Sequence, residues 1–273
     1  MKELNNKIDF STPIVMGILN VTDNSFYDGN RYNSLEKAVE QASKLVSEGA
    51  KIIDIGAQSS RPGSVEMSEK EEWNRLKEII PEIRKQFPKS LISVDTYRSS
   101  VAEKSINNGA HIINDISGGD LDENMFSFIA KNNIPYIMMH MKGTPKNMQK
   151  NPKYINVVEE IIEVFGNKID RLNKLGANNL IIDPGFGFGK NLEHNYTIIN
   201  NLEKLKKLKL PILIGVSRKS LIYNLLEINP DQALNGTTSV NTIALLKGAN
   251  ILRVHDVKEA AECIKIVNFA QNK

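Results

Sequence analysis

The sequence predicts a closed (β/α)8 barrel. Three observations predict it: the length of the chain, an eightfold alternation of short apolar runs with longer amphipathic segments, and a polar residue at the end of each run. The 273 residues match the roughly 250 that one barrel of this class requires, so a single domain over 1–273 is expected. A chain that is 41% hydrophobic and 25% charged is globular, which excludes disorder and fibrous repeats. Strict alternation with eight runs favours a closed barrel over an open doubly wound sheet, because no dinucleotide fingerprint follows the first run.

The elements follow in order. The apolar runs lie at 14–21, 51–56, 91–95, 111–116, 135–140, 179–183, 211–217 and 251–255. Continuous, β-branched runs this short suit strands buried on both faces of a parallel sheet. The first run leads through a polar loop to a helix over 34–48, with Ser34 as its cap and Gly49 just past its end. A second polar loop precedes a charged helix over 68–87, in which Pro81 predicts a kink. Helices are expected next at 99–108, 122–132 and 155–175, the first and last closed by Gly109 and Gly176. Another covers 192–208. Two pieces, 219–226 and 237–247, are split at Asn229–Pro230, and 257–269 is the last helix. The glycines just past helices are ordinary caps and carry no chemistry.

Charge and composition narrow the partners. Lys and Arg exceed Asp and Glu by only three and are scattered along the chain, which argues against nucleic acid. No apolar run approaches the roughly 20 residues that span a bilayer, and the first ten residues lack the apolar core of a signal peptide. The lone cysteine, Cys263, sits in an amphipathic stretch and reads as a buried helical thiol in a reducing compartment. A cytoplasmic protein that binds neither membrane nor nucleic acid is expected.

In such a barrel the site forms where the strands end. Those ends carry Asn20, Asp54, Asp95, Asn114 with Asp115, His140, Asp183, Ser217 to Lys219, and Arg253 with His255. Polar residues at strand ends are ordinary one at a time; as a ring in which acids and amides alternate with cations they predict a binding site. Asp95, Asn114 and Asp183 suit a flat heteroaromatic ligand with paired N–H donors, a strong and geometrically specific match for carboxylates. Arg61, Lys219, Arg253 and His255 suit a phosphate or pyrophosphate. The stretch Pro184 to Lys190 alternates glycine with Phe186 and Phe188, offering close backbone approach and a flat apolar wall from both rings. His111, His140, His194 and His255 have no metal-ligand spacing, so zinc is not expected; His111 reads as structural and His194 as a surface helix residue.

These residues sit in motifs that resemble the dihydropteroate synthase family. MGILNVT (16–22), SSRPG (59–63), SVDT (93–96), INDISGG (113–119), MHMKGTPKNMQ (139–149), DPGFGFGK (183–190), GVSRKS (215–220) and RVHD (253–256) occur in the family's order across nearly the whole chain. The resemblance implies a pterin site of Asp95, Asn114, Ile116, Met139, Asp183, Lys219 and Arg253. It implies that Asn20, Arg61, Arg253 and His255 meet pyrophosphate, that Asn20 holds Mg2+, and that Phe26, Ser60, Arg61, Pro62, Phe188, Lys219 and Ser220 surround p-aminobenzoate. Asp95, Asp183, Lys219 and Asp28 are the implied catalytic residues. The implied reaction joins a dihydropterin pyrophosphate to p-aminobenzoate in folate synthesis, in a homodimer built through the late helices that is a target of sulfonamides. The first loop departs from the family pattern, with Asp23 and Asn24 where proline and aspartate are usual. So does the second, with Ala57, Gln58 and Ser60 for glycine, glutamate and threonine. A methyltetrahydrofolate-dependent methyltransferase and a non-catalytic pterin-binding barrel are the rival readings.

Overall fold

The computed structural model describes residues 8–21, 31–58, 66–144, 147–149 and 151–271, with no side chains described at 31–34. Strands β1 (Ile14–Asn20), β2 (Ile52–Gly56), β3 (Leu91–Asp95), β4 (Ile112–Asp115), β5 (Tyr136–Met139), β6 (Leu180–Asp183), β7 (Leu213–Ile214) and β8 (Ile251–Val254) form one parallel sheet. Its order runs β6-β5-β4-β3-β2-β1-β8-β7. An isolated bridge between Ile182 and Ile212 brings the two edges together and closes the barrel. The helices are α1 (Arg31–Ser47), α2 (Glu69–Leu76), α3 (Ile79–Gln86), α4 (Ser99–Asn107), α5 (Met125–Asn132), α6 (Val157–Lys174), α7 (Leu192–Asn200), α8 (Ser220–Leu226), α9 (Leu234–Leu246) and α10 (Val257–Gln271).

Two expected helices divide. The segment over 68–87 breaks into α2 and α3 at Lys77–Glu78, ahead of the proline rather than at it. Pro81 has no N–H to donate to the carbonyl of Lys77, four residues earlier, but in the first turn of α3 that N–H has no helical partner to lose. Ser68 starts α2 with a capping box, its hydroxyl accepting from the Glu71 N–H while the Glu71 carboxylate accepts from the Ser68 N–H. The segment over 192–208 is α-helical only to Asn200 and continues as a 3-10 turn over Leu202–Leu208.

Strand alternation sorts the side chains into two cores. Residues facing outward pack with the helices in a large apolar layer that includes Leu19, Ile53, Val94, Ile113, Met138 and Val254. Inward-facing Met16, Ile52, Ile112, Ile137, Ile181, Leu213 and Ile251 fill the lower half of the barrel with a second cluster. Two residues further along the same strands, the inward positions turn polar: Asp54, Asn114, Asp183 and Arg253. The apolar plug therefore serves as the floor of a polar pocket.

Candidate active site

The pocket is built on that floor by period-two alternation. The register pairs Asp95 with Asn114 and Met139 with Asp183, so successive strands deliver their polar ends at similar heights. Two inward positions, Gly56 and Gly215, carry no side chain. A methyl group at Gly56 would sit 3.5 Å from the Asp95 Cβ and 3.7 Å from the Asn20 Oδ1, so Asn20 and Asp95 flank the same opening.

Arg253 is the centre of the polar layer. Its Nε donates to the Asp54 Oδ2 at 2.7 Å and its Nη2 to the Asp95 Oδ2 at 2.8 Å. The Asn114 amide donates to the same Asp54 oxygen at 3.2 Å. The guanidinium is thereby spread flat between two strands, oriented before any ligand arrives. Asp54 is fully buried, and among the described residues its Oδ1 and the neighbouring Ser93 Oγ have no partner.

The second half of the pocket comes from the turns after β6 and β7. The Asp183 Oδ1 accepts from the Gly185 N–H at 2.7 Å. The Lys219 ammonium donates to the Phe186 carbonyl at 2.8 Å and lies 4.8 Å from the centre of the Phe188 ring. Phe188 joins Ile116, Met139 and Met148 in a small apolar cluster, with Tyr97 and Met141 packed against it. Only one of the two phenylalanines lines the pocket: Phe186 is fully buried in the outer core, correcting the expectation of a wall made by both rings. The chain turns at Gly185 and Gly187, both at positive φ, so the side chains there do not follow strand alternation.

Electrostatics match the geometry. Burial pushes the Asp95 carboxyl up to about 7, against the attraction of Arg253 and with the repulsion of Asp54. Burial also raises Asp183, opposed by Lys219, and lowers the Lys219 ammonium to about 8, opposed by Asp183. A carboxylate and an ammonium thus sit close to neutral pH, the range in which small changes of surroundings switch protonation.

The remaining sequence-predicted residues divide into those at the pocket and those elsewhere. Asn20 is exposed at the end of β1, and the His255 Nδ1 lies 3.0 Å from the Ser217 Oγ at the end of β8. Ser220 is half-buried at the start of α8. Asp115, one residue beyond Asn114, points away from the pocket and accepts from the Tyr136 hydroxyl and the Ser117 hydroxyl, each at 2.7 Å. The His140 ring also lies outside it, edge-on to Phe165 with centroids 6.3 Å apart. His111 is structural, its Nδ1 accepting from the Ile92 N–H at 2.9 Å. His194 closes a capping box with Asn191 at the start of α7. Phe26, Asp28, Ser60, Arg61 and Pro62 lie outside the described residues. Two participants escaped the sequence reading of roles: Asp54, which orients Arg253, and Lys190, buried behind the Phe188 turn. The signal for Asp54 was a lone carboxylate in the middle of the run KIIDIG.

Among the described residues there is no cluster of three or more acidic, histidine or cysteine side chains able to hold a metal ion. The Asn20 amide oxygen suits the way Mg2+ is bound by one or two protein oxygens together with phosphates and water. A separate cavity of about 570 Å3 opens at the opposite end of the barrel, among Phe10, Pro13, Lys206, Pro211 and Asn250. None of the polar layer reaches it. No described helix is long and apolar enough to cross a membrane.

Comparison with known proteins agrees with this geometry. Residues 16–255 match the model of the pterin binding enzyme family. A dihydropteroate synthase of Escherichia coli (strain K12) is 44% identical over 262 residues, covering 95% of this chain and 92% of its own. The crystal structure of the Yersinia pestis dihydropteroate synthase with a sulfonamide drug complex superposes with a TM-score of 0.91 at 42% identity, over 97% of each chain. The Xanthomonas albilineans dihydropteroate synthase with 4-aminobenzoic acid gives a TM-score of 0.90 at 33% identity, over 97% of this chain and 96% of that one.

Proposed function

The chain belongs to the pterin-binding enzyme family, and from that premise we propose that its barrel carries out the dihydropteroate synthase reaction of folate synthesis. The p-aminobenzoate amine displaces pyrophosphate from the methylene carbon of a dihydropterin pyrophosphate, forming the C–N bond of dihydropteroate. The observation that carries this reading is the Arg253 guanidinium held flat by Asp54 and Asp95 beside Asn114, above an apolar floor and across from Asp183 and Lys219.

Each group has a role in that reaction. Asp95, Asn114 and Asp183 pair with the N–H groups of the pterin edge, while Ile116 and Met139 enclose its faces. The carboxylates also stabilise positive charge that grows on the ring as the C–O bond to pyrophosphate breaks. Arg253 presents its face to the ring and its charge to the departing anion, with Asn20 and His255 at the rim. Phe188, Lys219 and Ser220 receive p-aminobenzoate. Its amine is nucleophilic without a covalent enzyme intermediate. Asn20 would hold Mg2+, which when bound with pyrophosphate supplies charge neutralisation to the leaving group.

The same reading extends to assembly, location and inhibition. The late helices carry exposed Leu225, Leu226, Ile243, Leu246 and Ile266, an apolar surface suited to a homodimer. Cys263 is buried and unpaired, as suits the cytoplasm. Sulfonamides, which mimic p-aminobenzoate, would occupy the place beside Phe188 and Lys219.

The test follows pyrophosphate release from the dihydropterin pyrophosphate with Mg2+, in the presence and absence of p-aminobenzoate. Release that depends on p-aminobenzoate, with dihydropteroate as product, is the expected result. Tight pterin binding without release would make the barrel a binding protein.

A further inference from the structure

Behind the Phe188 turn lies a buried cation that the reaction as described does not use. The Lys190 ammonium is 3.0 Å from the Gly185 carbonyl, 3.0 Å from the Phe188 carbonyl, 3.2 Å from the His140 carbonyl and 3.0 Å from the His140 Nδ1. The residue is 3% exposed. His140 directly follows β5, whereas Gly185 and Phe188 belong to the turn after β6, so one lysine ties two neighbouring strand ends together. Burial and the adjacent Lys190 charge push the His140 imidazole down to about 2, so it is neutral, and toward an ammonium, which has no lone pair, its Nδ1 is the acceptor.

The rest of the turn is tied with equal care. Lys219 takes the Phe186 carbonyl at 2.8 Å, Gln149 takes that of Gly187, and the Tyr154 hydroxyl takes that of Gly189 at 3.0 Å. The Asn195 Oδ1 accepts from the Gly187 N–H at 2.8 Å. Every carbonyl from Gly185 to Gly189 is therefore held by a side chain, and Lys190 alone holds two of them. Apart from the Phe188 N–H donating to the Gly185 carbonyl at 3.1 Å, the turn takes its shape from these side-chain bonds, since an unpaired buried carbonyl is costly.

We propose that Lys190 is a positioning residue for p-aminobenzoate, setting the Phe188 ring and, through the Phe186 carbonyl, the Lys219 ammonium beside the pterin pocket. The inference rests on the reaction proposed above. It weighs unequally on the two substrates: Asp95, Asn114 and Arg253 on β3, β4 and β8 hold the pterin without touching Lys190, and only its contacts to Asp183 and Lys219 adjoin the turn, whereas p-aminobenzoate lies against the turn itself. A lysine suits the position because its donors radiate from one point toward carbonyls on different sides; burial lowers its ammonium to about 7, opposed by Asp183, and on the acid side of that value it offers three donors, more than any neutral side chain of that length.

The experiment compares the full-length protein with Lys190→Met, which keeps the length and removes the donors. The KM for p-aminobenzoate should rise at least about tenfold, while the pterin Kd by calorimetry rises clearly less, by no more than about threefold. Amides at 185–189 should exchange with deuterium faster, while those of β3 and β4 stay protected. Lys190→Gln keeps an amide donor in the cavity and replaces Lys190→Met if that variant does not fold; the same split, smaller in size, is expected. Equal loss of both substrates, or no change in either, would overturn the assignment. An unaltered protein that releases no pyrophosphate refutes the proposed reaction instead. The exchange comparison then decides the role of Lys190: faster exchange at 185–189 supports it and unchanged exchange refutes it.

Discussion

Single residues divide the labour of the pocket, and each division can be tested. Asp183→Asn keeps the size of the side chain and an oxygen for the Gly185 N–H, but removes the charge opposite Lys219. The fold should survive and kcat/KM should fall by about 100-fold or more, as when one preorganised electrostatic group is lost; steady-state kinetics beside a thermal melt decides it. Arg253→Ala has a double cost. It removes a cation from the pyrophosphate side, so pyrophosphate affinity by calorimetry should fall. Among the described residues it also leaves the fully buried Asp54 with only the Asn114 amide, which should lower unfolding stability by about 3 kcal/mol in urea titration. The pH profile follows from two groups. Below about 7 Asp95 takes up a proton and loses its charge toward the pterin; above about 8 Lys219 gives one up. Between these values both are charged, so kcat/KM should be bell-shaped with its maximum between pH 7 and 8. Lys219→Arg, whose guanidinium stays protonated throughout, should lose the alkaline limb. Most of these residues were legible in the sequence because each ends an apolar run, and strand parity then fixes its direction. Lys190 was not. Its motif is visible, but what it grips are carbonyls, which leave no trace in side-chain chemistry.

At the level of elements, period-two alternation held wherever a ladder exists and failed where it stops. Asn114 and Asp115 are neighbours in sequence yet face opposite sides of β4, as a strand requires. Phe186 and Phe188 also differ by two, which on a strand would place them together. In the turn after β6 one enters the outer core and the other the pocket, because Gly187 swings the chain through positive φ between them. Most helix ends were legible to within a few residues, the exception being 192–208, which is α-helical only to Asn200. The division at Lys77–Glu78 was displaced from Pro81 because a proline acts on the carbonyl four residues before it. The turn also predicts a contrast between two glycines. A methyl group at Gly185 would fall 2.0 Å from the His140 carbonyl oxygen at φ +71°, whereas at Gly176, at φ +94°, it would meet nothing within 4 Å. Gly176→Ala should cost only the strain of its backbone, about 1 kcal/mol. Gly185→Ala adds a backbone clash, so its loss of Tm should be clearly larger and accompanied by loss of p-aminobenzoate binding.

For the molecule as a whole, the expectation of one closed barrel came from counting runs, and counting is robust because every run must be buried on both faces. Assembly was less legible, since an exposed leucine on a late helix looks in sequence like any other. If the surface of Leu246 and Ile266 joins two copies, the protein should sediment at twice 30.6 kDa, and Leu246→Glu should halve that mass without loss of fold. The barrel's closure has a mechanical consequence of its own. Seven of its joins are laddered strands, but β6 meets β7 through the single bridge of Ile182 and Ile212, and β7 is only two residues long. A hoop with one stitch yields at the stitch, so a molecule pulled across its circumference should part between Asp183 and Pro211. The proposed ligand would lie over that gap, gripped by Asp183 and Lys219 on either side, and would fasten it like a clasp. Pterin should then raise the rupture force in single-molecule pulling, making the catalytic pocket also the place where the hoop is buckled.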